Sequence, residues 1–303
     1  MTSTRQRTTT LDAIPLGAAC SVTLHRTLRI PDDGSDYPLP PSLGALPVYP
    51  VGEDEFVVPM RSAEALWLAL EGPHWKPRAL KVGLGTTDAL SGEAFDADRL
   101  TRRSQDYLVI PDQPWLDGIN AGNGFIRQFV AAPLGEGLTV EAQLSDAPEE
   151  GGLVFSLFDP FPGRFPDEPP AWVSKALICE CSDALGLGAG GRMRQEIFED
   201  EHGADTWQDE PSVGARVELV NALAFEAVTG IKAPAPVIDA ETYTRFGLPW
   251  FDLISPTRKD IEASERLAGV RSIDDLKQLP AGELLPISEA QVVRLLQVKD
   301  LFA

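Results

Sequence analysis

Short stretches in which apolar and polar residues alternate recur along the first 220 residues of the chain. In residues 22–30 the even-numbered positions are apolar except for Arg26, and the odd-numbered positions are polar. Residues 66–70, 80–84 and 138–144 alternate in a similar way. Because successive side chains of a strand point to opposite faces, this period of two predicts half-buried β-strands.

Continuous apolar runs predict further short strands. Gly and Pro, 26 of each, interrupt the chain between the runs, and the sequence Pro-Asp-Asp-Gly at residues 31–34 is expected to end the first strand with a turn. The proline-rich residues 38–50 are too irregular for a helix and are expected to form a strap over a sheet. Many short strands joined by turns indicate a mainly β fold, either a sandwich or a distorted barrel. The further strands are predicted at residues 107–110, 153–158, 176–181, 193–198 and 217–220.

Helical signals replace strand signals after Val220. Residues 221–229 are predicted to form a short helix that ends at Gly230, because glycine readily adopts the left-handed conformation of a helix C-cap. Two further helices are predicted over residues 239–247 and, beginning at a Ser-Pro pair, over residues 255–269.

The last segment of the chain carries the clearest helix signal. Ser288 and Gln291 have the spacing of a capping box, and Ile287 lies where it could pack against Val292 as a hydrophobic staple. The apolar side of this helix is predicted to comprise Val292, Leu295, Leu296 and Phe302.

These patterns divide the chain into three parts. Residues 1–14 are expected to be a flexible polar tail, and residues 15–232 a β-rich core. Residues 233–303 are expected to be a proline-punctuated helical segment that packs on the core or on a partner. The Ala-Pro-Ala-Pro linker at residues 233–236 is short, so we expect one compact unit.

Composition and charge narrow the classes of function. The 303 residues carry a formal net charge of −20, and more than half of it lies between residues 141 and 210. Such a charge repels phosphate backbones and anionic lipid surfaces, so we expect no nucleic acid and no membrane as partner. The N-terminal residues contain no apolar h-region, so we expect no secretory signal, and no apolar stretch has the length expected of a membrane span. Three cysteines are too few for a disulfide framework, so a cytoplasmic location is predicted.

Six strings of residues carry a family resemblance. They are TLRIPDDG at residues 27–34, YPLPP at 37–41, QPWLDGI at 113–119, IRQFVA at 126–131, GAGGR at 188–192 and GLPWFD at 247–252. These strings resemble those of a family of uncharacterised bacterial proteins, over most of the chain from about Val22 to Leu276. The resemblance implies one coherent protein and carries no activity, cofactor or partner.

The segment of residues 112–120 is dense in side chains that bind ligands. Trp115 offers a stacking face, and Asp117 and Asn120 offer oxygen atoms. Loops on a rigid sheet are common binding sites, which makes these three residues candidates for a ligand site. The alternative is that Trp115 packs in the core and that Asp117 and Gly118 form a turn.

An Arg-Gln pair occurs twice in the same local pattern, at Arg127-Gln128 and at Arg194-Gln195. We predict equivalent strands of two related β-units whose arginines face each other's acids or a shared anionic ligand; chance similarity is the alternative. A buried guanidinium needs an acidic partner, and Asp112 and Asp117 are the nearby candidates for Arg127. The ligand-binding candidates are therefore Trp115, Asp117, Asn120, Arg127, Gln128, Arg194 and Gln195.

Metal and catalytic signals are weak. Cys179 and Cys181 are predicted to share one face of a strand as core residues, since a zinc site needs two more ligands. The glycine-rich residues 186–191 lead towards a strand, which argues against a phosphate loop. The three histidines have no catalytic context. No cofactor is predicted; a divalent cation is the weak alternative, with Glu199, Asp200 and Asp205 as its candidate ligands in an acidic turn that is otherwise a solvated surface.

Two classes of function follow from these observations. The first, which we favour, is a non-enzymatic protein of the cytoplasm that binds a protein partner or self-assembles through its terminal helix. The second is a small-ligand-binding protein or an enzyme with an anion-recognising site around Trp115, Asp117, Arg127 and Arg194. Convergence of these four side chains in a cavity would favour the second class.

Overall fold

Two mixed β-sheets make up most of the fold. The computed structural model describes residues 10–169, 187–237, 244–245, 249–276 and 289–302. The strands are β1 (Ile14–Leu16), β2 (Cys20–Thr27), β3 (Asp36–Tyr37), β4 (Tyr49–Pro50), β5 (Glu55–Met60), β6 (Ala65–Glu71), β7 (Arg78–Leu84), β8 (Thr87–Asp88), β9 (Leu108–Ile110), β10 (Trp115–Leu116), β11 (Gly118–Gly122), β12 (Phe125–Ala131), β13 (Leu153–Phe158), β14 (Leu187–Arg194) and β15 (Val213–Asn221).

The first sheet has the strand order β1-β2-β6-β12-β14-β3, with β10 paired to β6 and β11 paired to β12. The second sheet has the order β4-β5-β15-β13-β7-β8, with β9 paired to β7. Each sheet contains one parallel pair, β14 with β3 in the first and β15 with β5 in the second. Neither sheet closes into a barrel over the described residues.

The core lies between the two sheets. Leu66 and Leu68 of β6 belong to one buried cluster together with Val82 of β7 and Phe155 of β13. Each strand therefore sends alternate side chains inward, as the period of two predicts. The structure confirms the predicted mainly β class as two stacked sheets with few short helices.

The strand predictions are confirmed most closely where apolar side chains fill the space between the sheets. The strand predicted at residues 153–158 is β13 with the same bounds, and those at 66–70 and 80–84 lie within β6 and β7. The strand predicted at residues 193–198 is largely wrong, because β14 ends at Arg194 and contains the glycine-rich residues instead. A Cβ on Gly191 would lie 2.3 Å from the carbonyl oxygen of Pro31, so glycine permits this close crossing.

Five α-helices with assigned bounds occur within the described residues. They are α1 (Val140–Leu144), α2 (Ala222–Thr229), α3 (Glu265–Ala268), α4 (Ile273–Leu276) and α5 (Glu289–Phe302). Helix α2 confirms its prediction: the side chain of Asn221 caps its start, and Gly230 ends it with φ of 75°. No helix in the described ranges has the length and apolar character that a bilayer crossing demands.

The strand predicted over residues 138–144 is wrong, because this segment contains α1. The hydroxyl of Thr139 accepts a hydrogen bond from the N–H of Ala142 at 3.0 Å and caps the helix. The buried carboxylate of Glu141 accepts hydrogen bonds from Thr86 Oγ1 at 2.7 Å and from the N–H of Gly151 at 2.9 Å. Local polar bonds therefore override an alternation of only seven residues.

The helix predicted from Ser255 is also wrong. Residues 255–258 form a bend, in which the Ser255 hydroxyl accepts from the N–H of Arg258 at 3.0 Å, and the helix begins only after Ser264. The strand predicted at residues 176–181 with Cys179 and Cys181, most of the helix predicted at 239–247, and the cap residues Ile287 and Ser288 lie outside the described residues.

Helix α5 turns one side towards the second sheet. Leu295 and Val298 are buried in a cluster with Val57 of β5, Val220 of β15 and Phe225 of α2. Arg294 on the same side forms ion pairs with Glu55 and Glu218. The predicted apolar side is wrong for Val292 and Leu296, which are 44% and 49% exposed, because residues 294, 295 and 298 form the inward stripe.

The two neighbouring leucines of α5 make a matched pair for measuring this contact. Leu295→Ala should lower the free energy of unfolding by about 2–4 kcal/mol, because it empties a buried site. Leu296→Ala should change it by no more than about 0.5 kcal/mol, because that side chain is exposed. Urea denaturation of the full chain measures both values. If both variants lost no more than about 0.5 kcal/mol of the free energy of unfolding, the packing of α5 would contribute nothing to the stability of the sheets.

Candidate functional site

A cavity of about 230 Å³ lies on the face of the first sheet that points away from the second sheet. Trp67 lies on this face, because the leucines on either side of it in β6 point into the core. The cavity is smaller than the roughly 300–1,000 Å³ of sites for drug-sized molecules and suits one ring with a short chain. Its lining comprises Leu39, Pro40, Pro41, Ser42, Trp67, Trp115, Asp117 and Phe251.

The cavity forms where two neighbouring strands diverge. Strands β6 and β12 pair only through residues 65–66 of β6 and residues 129–130 of β12. Beyond these residues the two strands separate, and the segment β10–β11 lies between them, with β10 paired to β6 and β11 paired to β12. Asp117 is the residue at which this segment changes its pairing partner from β6 to β12. A Cβ on Gly118 would lie 2.0 Å from the carbonyl oxygen of Arg127, so only glycine allows so close an approach. The turn considered for Asp117 and Gly118 is thus a buried strand junction.

Asp117 is fully buried and is held by Gln195. Gln195 Nε2 donates to Asp117 Oδ1 at 2.8 Å, and Gln195 Oε1 accepts from the backbone N–H of Asp117 at 2.9 Å. Burial raises the pKa of Asp117 to about 7, although the bond from Gln195 acts in the opposite direction. No ion pair of Asp117 occurs within the described parts of the chain. The cavity therefore contains a carboxyl group that titrates near neutral pH.

Two tryptophans form the aromatic walls. Trp67 pairs with His25 across β6 and β2, and the two rings stack with their centroids 4.1 Å apart. Trp115 is the cross-strand neighbour of Ala69, whose small side chain leaves room beside Trp67. The indole N–H of Trp67 is buried and finds no acceptor among the described residues. A buried donor without a partner is unusual in a folded protein.

The proline-rich strap covers one side of the cavity. Leu39 and Phe251 exchange both backbone hydrogen bonds, at 2.6 and 2.9 Å, and so join the strap to the C-terminal part of the chain. Phe251 remains 49% exposed at the rim. His25 Nδ1 lies 2.7 Å from Ser42 Oγ and ties the strap to the sheet.

Ser42 and His25 together lack the properties of a nucleophile and its base. Burial lowers the pKa of His25 to about 4, so the ring is neutral at pH 7 and resists taking up a proton. Among the described residues no carboxylate bonds the other ring nitrogen, which is the contact that raises the basicity of a catalytic histidine. The bond between Ser42 and His25 is therefore best explained as a structural tie.

The arginines of the predicted site do not converge on this cavity. Arg127 and Arg194 lie on the adjacent antiparallel strands β12 and β14 of one sheet. Arg127 pairs with Asp32 at 2.8 Å, and Arg194 pairs with Asp252 at 2.9 Å. The expected pairing of Arg127 with Asp112 or Asp117 is wrong.

Asp112 and Asp117 do not pair with Arg127 because both carboxyl groups have other partners. Asp112 lies 3.3 Å from Arg258 and 3.5 Å from His202, and the carboxyl of Asp117 is bonded to Gln195. The structure thus separates Trp115 and Asp117, which line the cavity, from two arginines that already have carboxylate partners. It gives no support to an anion site at this place.

The three remaining amide candidates serve the fold. Gln128 accepts from the N–H of Ile30 at 2.8 Å and donates to the carbonyl oxygen of Leu28 at 2.7 Å, which fixes the chain beyond β2. Gln195 holds Asp117 in the same two-bond manner. Asn120 donates to the carbonyl oxygen of Glu262 at 2.9 Å and does not line the cavity.

The weak cation candidates also have other partners. Asp200 accepts from the hydroxyl of Tyr107 at 2.7 Å and from the indole of Trp207 at 2.8 Å. Asp205 pairs with Arg102 at 3.0 Å, and Glu199 lies 3.6 Å from Lys259. Within the described ranges no three acidic, histidine or cysteine side chains are grouped to hold a metal ion.

Most residues of the cavity lining could not be identified as site residues from the sequence. Trp67 had a detectable signal, because a large aromatic residue occurs between leucines on the strand face that the alternation assigns to solvent. The prolines were assigned to a strap, but nothing in the sequence indicates that Phe251, more than 200 residues later, pairs with that strap. Long-range pairing of two irregular segments leaves no local pattern.

Three of the strings that carry the family resemblance meet at the cavity. Residues 37–41 supply the strap, residues 113–119 supply Trp115 and Asp117, and residues 247–252 supply Phe251. A scan against protein-family models and searches of curated proteins and of solved structures gave no match for this chain. Function is therefore inferred from the residues of the cavity themselves.

The burial of Asp117 predicts a distinctive dependence of stability on pH. Its pKa is about 7 in the folded protein against an ordinary value of 3.8, so the folded state binds more protons between these pH values. The free energy of unfolding should therefore fall as the pH rises from about 4 to about 7. Above about pH 7 the ionisation of Asp117 should cause no further change in stability. Asp117→Asn should remove this contribution. As the pH rises from about 5 to about 8, the free energy of unfolding of the variant should therefore increase by about 2–3 kcal/mol relative to that of the wild type.

Urea denaturation at several pH values measures this difference. His25 contributes the opposite slope, because its lowered pKa makes stability rise with pH, but it is present in both proteins and cancels in the comparison. Parallel pH profiles for the two proteins would show that Asp117 is not buried as an acid.

Proposed function

We propose that this protein is a non-enzymatic binding protein that takes a small, largely apolar ligand into the cavity between Trp67 and Trp115. The observation that carries the proposal is an aromatic cavity with one buried carboxyl group at its wall. Binding sites are typically concave, lined by apolar and aromatic side chains, and provided with a few polar groups that orient the ligand.

The rigidity of the lining supports binding without a large rearrangement. The prolines of the strap have restricted backbones, and the strap is fixed at Leu39 by Phe251 and at Ser42 by His25. A preformed site of this kind loses little conformational entropy when a ligand enters. The protein is further proposed to act in the cytoplasm, consistent with its free, buried Cys20.

Two exposed phenylalanines allow a matched test of the cavity. The neutral probe 2-phenylethanol should bind the full-length protein with a Kd on the order of 1 mM, as measured by ligand-observed NMR titration. Phe251→Ala should weaken binding about five-fold, because it removes one aromatic wall. Phe161→Ala should leave the Kd unchanged, since Phe161 is 38% exposed but lies outside the cavity. No binding to the wild type, or equal losses in both variants, would contradict the proposal.

One observation favours self-assembly as a second candidate function. Helix α5 exposes Val292, Val293 and Leu296 side by side on the surface opposite its buried stripe. Adjacent exposed aliphatic side chains on one helix face suit a contact between two copies of a helix. A second copy of this chain is the proposed occupant.

Sedimentation velocity over a range of protein concentrations tests the assembly proposal. The wild type should associate as its concentration rises, and the double variant Val293→Ser, Leu296→Ser should remain monomeric. Ile254→Ser is the control, because Ile254 is 56% exposed and does not belong to α5. A wild type that stays monomeric at every concentration would exclude this form of assembly.

A further inference from the structure

The chemical class of the ligand follows from which charges the cavity wall contains and which it lacks. Of the eight described lining residues, Asp117 is the only one with a titratable side chain. Among the described residues, neighbouring elements add no positive charge to the wall. His25, which stacks on Trp67, is neutral above about pH 4. Arg127 and Arg194 of the first sheet are paired with Asp32 and Asp252.

We propose that the natural ligand is a small organic ammonium compound with an aromatic or aliphatic body, and that Asp117 is its counterion. This inference rests on the proposed binding function and names the class of molecule bound at the same site. The ammonium group would pair with the Asp117 oxygen atoms, and the apolar body would lie between the two tryptophans.

Charge complementarity favours an ammonium group over a neutral or anionic one. Asp117 lost its hydration when the protein folded, so a ligand cation meets a carboxylate that needs little further desolvation. The faces of Trp67 and Trp115 attract cations, which offsets the loss of water around the ammonium group. The net charge of −20 raises the local concentration of cations and repels anionic compounds.

The state of Asp117 couples binding to pH. The pKa of the free protein's Asp117 is about 7, so the carboxyl is largely protonated at pH 5.5 and ionised at pH 8. An ammonium ligand pairs only with the ionised form and should bind more weakly as the pH falls. The lining residues from the strap, β6, β10 and the Phe251 segment contain no other group that titrates in this range.

Three probes of similar shape but different charge show how much the charge of the ligand contributes to binding. They are 2-phenylethylammonium, 2-phenylethanol and 3-phenylpropionate, which are cationic, neutral and anionic throughout the range from pH 5.5 to pH 8. The alcohol is a strict neutral comparison, because its hydroxyl can donate a hydrogen bond to Asp117. NMR titration of the full-length protein at pH 8 should show binding of the ammonium compound about ten-fold tighter than the alcohol, with the carboxylate weakest. At pH 5.5, where only a few per cent of Asp117 is ionised, the ratio should fall to about one.

Asp117→Asn supplies the decisive variant, because asparagine keeps an oxygen acceptor for Gln195 but removes the charge. The preference for the ammonium compound over the alcohol at pH 8, measured as the ratio of their two Kd values, should disappear in this variant. Asp98→Asn is the matched control, because it removes one exposed carboxylate from outside the cavity and should leave the preference intact.

The outcomes distinguish this inference from the proposed function. Equal binding of the alcohol and the ammonium compound to the wild type at pH 8 would overturn the ammonium inference and leave the binding cavity standing. A preference for ammonium that survives in Asp117→Asn would assign it to the general negative charge and would also overturn the inference. Binding of none of the three probes would count against both.

Discussion

The two hydrogen bonds between Gln195 and Asp117 are the constraint on which the cavity depends. They join the end of β14 to the junction of β10 and β11, at the place where β6 and β12 separate. Without these bonds the junction would contain a buried backbone N–H and a buried carboxyl group with no hydrogen-bond partner from Gln195. Burial of such unpaired polar groups in an apolar setting lowers the stability of the fold. The positions of Trp115 and of the cavity wall follow from this fixed junction.

Gln128 of β12 makes a similar pair of hydrogen bonds. It bonds the backbone of Leu28 and Ile30, where the chain leaves β2 and turns towards the proline-rich strap. Two buried glutamines on neighbouring strands therefore replace backbone ladder bonds at two irregular crossings. This arrangement explains why each glutamine follows an arginine: Arg127 and Arg194 pair with acids at the surface, and the next residue turns inward.

The sequence predicted the sheets far better than the site. Alternation identified β6, β7 and β13, because their inward residues fill a common core. Alternation failed at residues 138–144, where the Thr139 cap and the buried Glu141 outweigh a short pattern. The Ser-Pro signal for a helix start failed at Ser255, whose hydroxyl closes a bend. Trp115 and Asp117 were recognised as ligand-type residues, but Phe251 and the strap meet them only through tertiary pairing, which no local pattern encodes.

Asp117 need not be an acid for the fold to form. An asparagine would accept the same bond from Gln195 and offer the same backbone N–H, and it would avoid the burial of an ionisable group. The carboxyl thus lowers stability at neutral pH without a compensating cation in the described chain. A ligand that carries the missing positive charge would recover this free energy on binding, so the same group that weakens the free protein favours the complex.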